Sequence, residues 1–298
     1  MSLILSELDY AAPATLEEAI GLLSAHPGAQ LLAGGHDLVP AMKAGTKSPG
    51  MVVDLRRLGG LRAMHHDEKA GTLTVGAMVT LDRLLADPAT GLLAALRQAA
   101  ESVGDAQVRN ASTIGGSLVS RNPAADLAAA ALALDAAIVA VGPAGERRIP
   151  ADDFLTAASS PLAVDEIVTA VVFPVVAGSG SAYVKQPIPA TCYPISAVAA
   201  WVEIKSGKVA QARVAVTGVF ARPRREAGVE SAVNGVVPSR AALAKAAKAA
   251  GATGSNGAVR ETAITDFAGS GEYRLHLAAV QAERALVEAL GNAGLHLE

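Results

Sequence analysis

The chain has 298 residues, a formal net charge of −3 and a pI near 6.1, with 51% hydrophobic and 18% charged residues. That length suits two domains, or one domain with a sizeable appendage, and the apolar content excludes a disordered chain. The weakly acidic balance leaves no electrostatic footprint for nucleic acid, and the single cysteine, Cys192, excludes an internal disulfide, a cysteine-ligated iron–sulfur cluster and a Cys-rich zinc site.

Residues 1–7 lack the basic n-region and long apolar h-region of a signal peptide, and a soluble, cytoplasmic protein without a transmembrane segment is expected. Thr15-Leu16-Glu17-Glu18 is a capping box, opening a helix with Leu16, Ala19, Ile20 and Leu23 on one face. Gln30 to Ala33 is a short apolar run that ends abruptly at Gly34-Gly35, as a buried strand ending in a turn does. Met51 to Leu55 is a second strand, and Leu73 to Gly76 follows a polar turn as the second arm of a hairpin. Thr80 caps a helix from Leu81, and Gly91 to Glu101 continues as another. The apolar stretch from Ala124 to Val141 is broken by Asp126 and Asp135, which would be costly in lipid, so it reads as a helix over Leu127–Leu134 and then a buried strand. Ala137–Val141 and Arg147–Ile149 flank the turn Gly142–Gly145, and Ile167 to Phe173 is a β-branched strand closed by Pro174.

Val175 to Ser181 is a run of small residues and the candidate domain boundary. Beyond it, Ala197–Ile204 and Val209–Val219 form a meander around Lys205-Ser206-Gly207-Lys208, followed by helices over Ser239–Ala250 and Glu272–Leu290. Strands followed by helices point to a small α+β domain. Arg222-Pro223-Arg224-Arg225 reads as a solvated loop or a subunit contact, and His65-His66, beside Asp67 and Glu68, as a surface pair with nothing nearby to complete a metal shell.

There is no Walker A motif, no G-x-G-x-x-G at a strand-to-helix turn, no H-E-x-x-H and no G-x-S-x-G. Two diglycines stand out instead, in Ala33-Gly34-Gly35-His36-Asp37-Leu38 and Ser112-Thr113-Ile114-Gly115-Gly116-Ser117. Consecutive residues without Cβ let backbone N–H groups converge on an anion and permit φ > 0, so two such loops could close on a pyrophosphate without a helix dipole. Asp126 falls near a helix start, where it serves either as an ordinary cap or as an acceptor for ribose hydroxyls.

Read together, Leu32 to Lys43, Val75 to Thr80, and Arg109 to Leu118 through Asn122-Pro123-Ala124-Ala125-Asp126-Leu127 resemble the FAD subunit of the xanthine dehydrogenase family of molybdenum hydroxylases, in its aerobic carbon monoxide dehydrogenase form. The likeness runs nearly end to end, taking in Tyr183 to Val202 and the closing segment from Gly271-Glu272-Tyr273-Arg274 to Arg284-Ala285-Leu286. It implies an α+β fold: a two-lobed FAD-binding domain of the vanillyl-alcohol-oxidase (PCMH) type over 1–176, with lobes near 1–55 and 56–176, then a small domain of antiparallel sheet and helices over 177–298. It further implies that Ala33, Gly34, Gly35, His36, Asp37 and Leu38, with Thr113, Gly115, Gly116 and Ser117, bracket the FAD pyrophosphate. Asp126 would take ribose or ribityl hydroxyls, Lys43 and Ala77 would line the cofactor, and Ile167 and Val168 would approach the adenine by backbone contacts or be plain strand core. Lys185 and Tyr193 fall in a segment that would cover the isoalloxazine, the ring shielding one face and the lysine favouring the anionic reduced flavin at its N1–C2=O edge, or else are a solvent-facing lysine and a strand-end tyrosine. Gln186 to Ala190 replaces the basic stretch common after that lysine, and Ser117 stands where Asn is common, so the local path there is open.

The resemblance also implies a division of labour. A large subunit with molybdenum-pterin cytosine dinucleotide would hydroxylate the substrate, a small subunit would carry two [2Fe–2S] clusters, and this chain would pass electrons from them to an external acceptor, as part of a dimer of heterotrimers. No metal site and no acid, base or nucleophile for the substrate is expected here. The alternatives are a self-contained flavin oxidase or reductase of the same N-terminal fold, and an interaction module that has lost its cofactor.

Overall fold

In this computed structural model residues 7–251 and 262–297 are described. The segment read above for a targeting signal lies, over residues 1–6, outside them. The chain starts with β1 (Asp9–Ala11) and α1 (Leu16–Ala25), whose capping box forms: Thr15 Oγ1 accepts from the Glu18 N–H, and the Glu18 carboxylate accepts from the Thr15 N–H. β2 (Gln30–Leu32), α2 (Leu38–Lys43) and β3 (Met51–Asp54) follow. The three strands make a parallel sheet ordered β1-β3-β2, and Ala19 and Leu23 of α1 pack with Val53 in its core.

The second lobe opens on the expected hairpin, β4 (Met64–Asp67) and β5 (Thr72–Gly76), with Asp67 Oδ1 accepting two turn N–H groups, those of Lys69 and Ala70. Helices α3 (Leu81–Ala86), α4 (Ala94–Glu101), α5 (Ala106–Ala111), α6 (Ile114–Val119) and α7 (Asp126–Ala133) come next. Thr80 caps α3 as read. The helix expected over Gly91–Glu101 begins only at Ala94, because Pro88–Leu92 closes a 3₁₀ turn pinned by Thr90 Oγ1 on the Leu84 and Asp87 carbonyls. β6 (Ala137–Gly142), β7 (Gly145–Pro150), α8 (Ala151–Thr156) and β8 (Ile167–Pro174) complete a five-stranded antiparallel sheet, β4-β5-β8-β6-β7.

After four residues beyond β8 the chain enters β9 (Ser179–Pro187), so the last three residues of the stretch read as a linker to Ser181 are strand. β10 (Pro194–Lys205), β11 (Lys208–Thr217) and β12 (Arg224–Arg225) give an antiparallel sheet, β12-β11-β10-β9, followed by α9 (Ala227–Val233), α10 (Arg240–Ala247) and α11 (Gly271–Asn292). Arg224 and Arg225 are therefore not a solvated loop. Arg224 is buried against Phe220 and paired with Glu226, and Arg225 forks onto Glu230.

The third sheet has two buried faces, and the strand period of two sorts its residues between them. Ala182, Val198, Ala200 and Val202 join the core under α11, whereas Tyr183, Ala197, Ala199 and Trp201 join the second lobe's core. α7 is buried along its whole length between these layers, which is why it is apolar all round. The α+β architecture is the expected one: two lobes, then an antiparallel sheet with helices.

Candidate functional site

A cleft of about 590 Å³ lies where the two lobes and the β9–β10 hairpin meet. The first lobe contributes Ala33, Gly34, Gly35, His36, Asp37 and Leu38 to its wall. The second contributes Ala77, Thr113, Gly115, Gly116, Ser117, Asp126, Ile167 and Val168, and the hairpin contributes Thr191, Cys192 and Tyr193. Of the residues singled out in the sequence, Lys43 and Lys185 are not on this wall. Lys43 ends α2 on its exposed side.

The two diglycines differ from the paired loops expected. Gly115 and Gly116 lie in the first turn of α6, with Thr113 as N-cap: its Oγ1 accepts the Gly116 N–H at 3.1 Å, while the Gly115 N–H goes to Ala77 O at 3.0 Å. Cap chemistry here outweighs the low helix propensity of glycine, and both N–H groups are already spent inside the protein. Gly115 is required by close approach, since a Cβ there would sit 2.6 Å from that of Ala77. Gly34 is a contact between lobes: a Cβ would lie 2.1 Å from Ala111 O. The other half of the first diglycine keeps the expected role of a turn residue, with φ of +77° at Gly35. The N–H groups of Gly34, Gly35, His36 and Asp37 are taken by no backbone carbonyl among the described residues, and they border the cleft. The open amide row is thus in the first loop alone.

Asp126 opens α7, yet it makes no cap bond. Its Oδ1 accepts from Tyr183 Oη at 2.5 Å, from Lys185 Nζ at 2.8 Å and from Ser102 Oγ at 3.3 Å. Burial pushes the Asp126 carboxyl up, and Lys185, Tyr183 and Ser102 pull it back. Burial and the neighbouring carboxylate push the Tyr183 phenol well above its ordinary range. Lys185 is accordingly neither solvent-facing nor on the cleft wall; its ammonium is enclosed and also donates to Ser102 O at 2.7 Å. Tyr183 belongs to no motif visible in the sequence. Its signal was the alternation Ser181-Tyr183-Lys185, which puts three polar groups on one face of β9 toward α4 and α7, where Ser181 Oγ accepts the Ala95 N–H.

Tyr193 closes the hairpin, its carbonyl accepting from the Ile188 N–H at 2.7 Å. Its ring stays half-exposed at the cleft, with the phenol raised by burial and by the charges of Asp37 and Asp126. Ile167 and Val168 pair with Val141 and Ala140 in the sheet and also border the cleft. His65 and His66 lie on β4 and are not among the residues of this wall, and no group of three or more potential metal ligands exists among the described residues.

Residues 6–176 match the model for the FAD-binding domain in molybdopterin dehydrogenase. The chain belongs to that family. Residues 181–289 of this flavoprotein match the carbon monoxide dehydrogenase flavoprotein C-terminal domain. It is 32% identical to the carbon monoxide dehydrogenase medium chain of Hydrogenophaga pseudoflava, over 93% of this chain and 95% of the relative. It is 31% identical to the nicotine 6-hydroxylase medium subunit of Paenarthrobacter nicotinovorans, over 96% and 98%. The solved carbon monoxide dehydrogenase of Hydrogenophaga pseudoflava lacking the Mo-pyranopterin moiety superposes with a TM-score of 0.89 at 31% identity, covering 97% of this flavoprotein and 99% of that chain. Among the described residues no helix is long and apolar enough to cross a membrane.

Proposed function

We propose that this flavoprotein is the FAD-carrying electron-transfer subunit of a molybdenum hydroxylase, and that the cleft is its FAD site. The observation that carries the reading is a row of open amides, Gly34 to Asp37, sharing one cleft with a carboxylate, Asp126, that keeps one oxygen free. Successive N–H groups suit phosphate oxygens, and a free carboxylate oxygen suits a sugar hydroxyl. A volume near 590 Å³ is of the size that cofactor pockets take.

Within this reading the loop from Ala33 to Leu38 binds the pyrophosphate, helped by the Ser117 hydroxyl. Thr113, Gly115 and Gly116 shape the opposite wall, against Ala77. Ile167 and Val168 border the adenine end, and Tyr193, whose phenol feels the Asp126 charge, covers the flavin face and limits access of oxygen or acceptor. Lys185 acts on the cofactor through Asp126, and Lys43 through the position of α2. When bound, FAD would supply acceptance of single electrons and their onward transfer to an external acceptor. The chain's own groups bind, orient and shield it; none is placed as acid or base toward a substrate.

The flavin domain is taken as 1–176, with lobes near 1–55 and 56–176, and the C-terminal domain as 177–298. One cysteine leaves the [2Fe–2S] clusters to a small subunit and the molybdenum-pterin cytosine dinucleotide to a large one. We place the assembly in the cytoplasm as a dimer of heterotrimers that delivers electrons to an external acceptor. Relatives named for carbon monoxide and for nicotine are nearly equally similar to this chain, which supports a substrate chosen in another subunit. The test is anaerobic. The isolated, FAD-loaded chain should keep its flavin absorbance with carbon monoxide, purines, N-heterocycles or aldehydes, and should bleach with one of them once the copurified partner subunits are added. Rapid bleaching of the isolated chain would establish a self-contained flavoprotein instead.

A further inference from the structure

All three donors to Asp126 converge on Oδ1, from Tyr183 at 2.5 Å, Lys185 at 2.8 Å and Ser102 at 3.3 Å. Oδ2 has no donor among the described residues, although only 6% of the side chain is exposed. It is not one of the fully enclosed unpaired polar atoms either, and Asp126 forms part of the cleft wall. A buried carboxylate whose task was only to tie two units together would be expected to spend both oxygens inside the protein. One saturated oxygen beside one open oxygen is the arrangement of a carboxylate held for a ligand.

Tyr183 and Lys185 contribute differently to that hold. The terminal torsion of an aspartate is broad, so charge attraction alone leaves the carboxylate free to turn. Lys185 is a compact charge on a flexible stem and attracts either oxygen. Tyr183 is rigid: its N–H donates to Gln98 Oε1 at 2.7 Å, its strand pairs with β10 opposite Ala199, and its ring is packed in the core shared with the second lobe. Its phenol therefore reaches Asp126 from a fixed direction.

We propose that Tyr183 is a positioning residue for the cofactor, holding Asp126 by Oδ1 so that Oδ2 faces the cleft as acceptor for a single sugar hydroxyl of FAD. The proposal rests on the FAD reading of the cleft. It makes the third sheet part of the flavin site, although Tyr183 itself does not line the cleft.

The test uses the full flavin-free chain, with FAD and a set of FAD analogues each lacking one hydroxyl of the ribityl chain or the ribose. Tyr183→Phe keeps the ring and its packing, and a thermal melt of the variant checks that it folds. Its FAD dissociation constant, read by quenching of flavin fluorescence, should rise about 3- to 10-fold, as for one lost hydrogen bond. For the one analogue that lacks the accepted hydroxyl, wild type and Tyr183→Phe should bind equally. A variant that binds FAD as tightly as wild type overturns the proposal. So does one that loses the same factor for FAD and every analogue, since that pattern reports a looser fold. A wild-type chain that binds no FAD removes the underlying reading and the proposal together.

Discussion

Lys185→Met is expected to destabilise the folded chain by about 3–5 kcal/mol at pH 7, as removal of one partner from a buried ion pair does. Both side chains of the Lys185–Asp126 pair are 6% exposed, so water screens little of the loss. Methionine fills the stem's volume but leaves the carboxylate enclosed with only the Tyr183 and Ser102 hydroxyls. Burial already pushes the Asp126 carboxyl up in the wild type, and without the ammonium it goes further. The sign of the pH dependence follows. A carboxyl whose folded pKa exceeds its unfolded value of about 3.9 holds its proton better in the folded state. Its stabilisation is complete below the unfolded value and is lost as pH rises through the folded one. The deficit of Lys185→Met against wild type should therefore shrink as pH falls from 7 toward 4. Urea unfolding midpoints of the two flavin-free chains at several pH values measure it. A deficit below about 1 kcal/mol, or one that does not change with pH, would show that the pair carries no buried charge.

Local signals announced most of the elements. Thr15, Thr80 and Ser239 each cap the helix that follows them, and the β-branched run Ile167–Phe173 is a strand ending at Pro174. What failed was information that resides in distant partners. Thr113-Ile114-Gly115-Gly116 read as an anion site because consecutive residues without Cβ let backbone N–H groups converge. Only the approach of Ala77 shows that Gly115 is there for space, within a capped first turn. Arg224 and Arg225 looked solvated because their carboxylates, Glu226 and Glu230, become partners only once β12 and α9 are laid against β11. Lys185 was assigned from the segment that carries it, and β9's second face had no visible counterpart in sequence. The one hint was α7, apolar on every side around Asp126, which requires cover from two directions. The residues of the cleft were legible as motifs; which of their hydrogen-bonding groups remain open was not.

Gly34→Ala and Gly35→Ala separate two explanations of the first diglycine. At Gly34 a methyl would lie 2.1 Å from Ala111 O and 2.9 Å from its carbonyl carbon, and a backbone carbonyl in the last turn of α5 cannot rotate aside. The loop of the first lobe must then back away from the second, at a cost near the top of the 1–3 kcal/mol typical of overpacking. At Gly35 the nearest atoms, Leu32 Cδ1 and Val39 Cγ2, stand 3.4 Å away, so the space is ordinary and the strain lies in φ of +77°. A left-handed alanine costs about 1–2 kcal/mol without widening the cleft. Gly34→Ala should therefore lower the melting temperature more, and should weaken FAD binding by about tenfold or more, which is 1.4 kcal/mol of misplaced contacts. Gly35→Ala should lose stability while keeping most of its affinity. Both readouts, melting of the flavin-free chain and FAD titration, come from the same preparations. The opposite order, with flavin retained by Gly34→Ala and lost by Gly35→Ala, would mean that the pair serves close approach of phosphate to the backbone, and that the packing of one lobe on the other is incidental to binding.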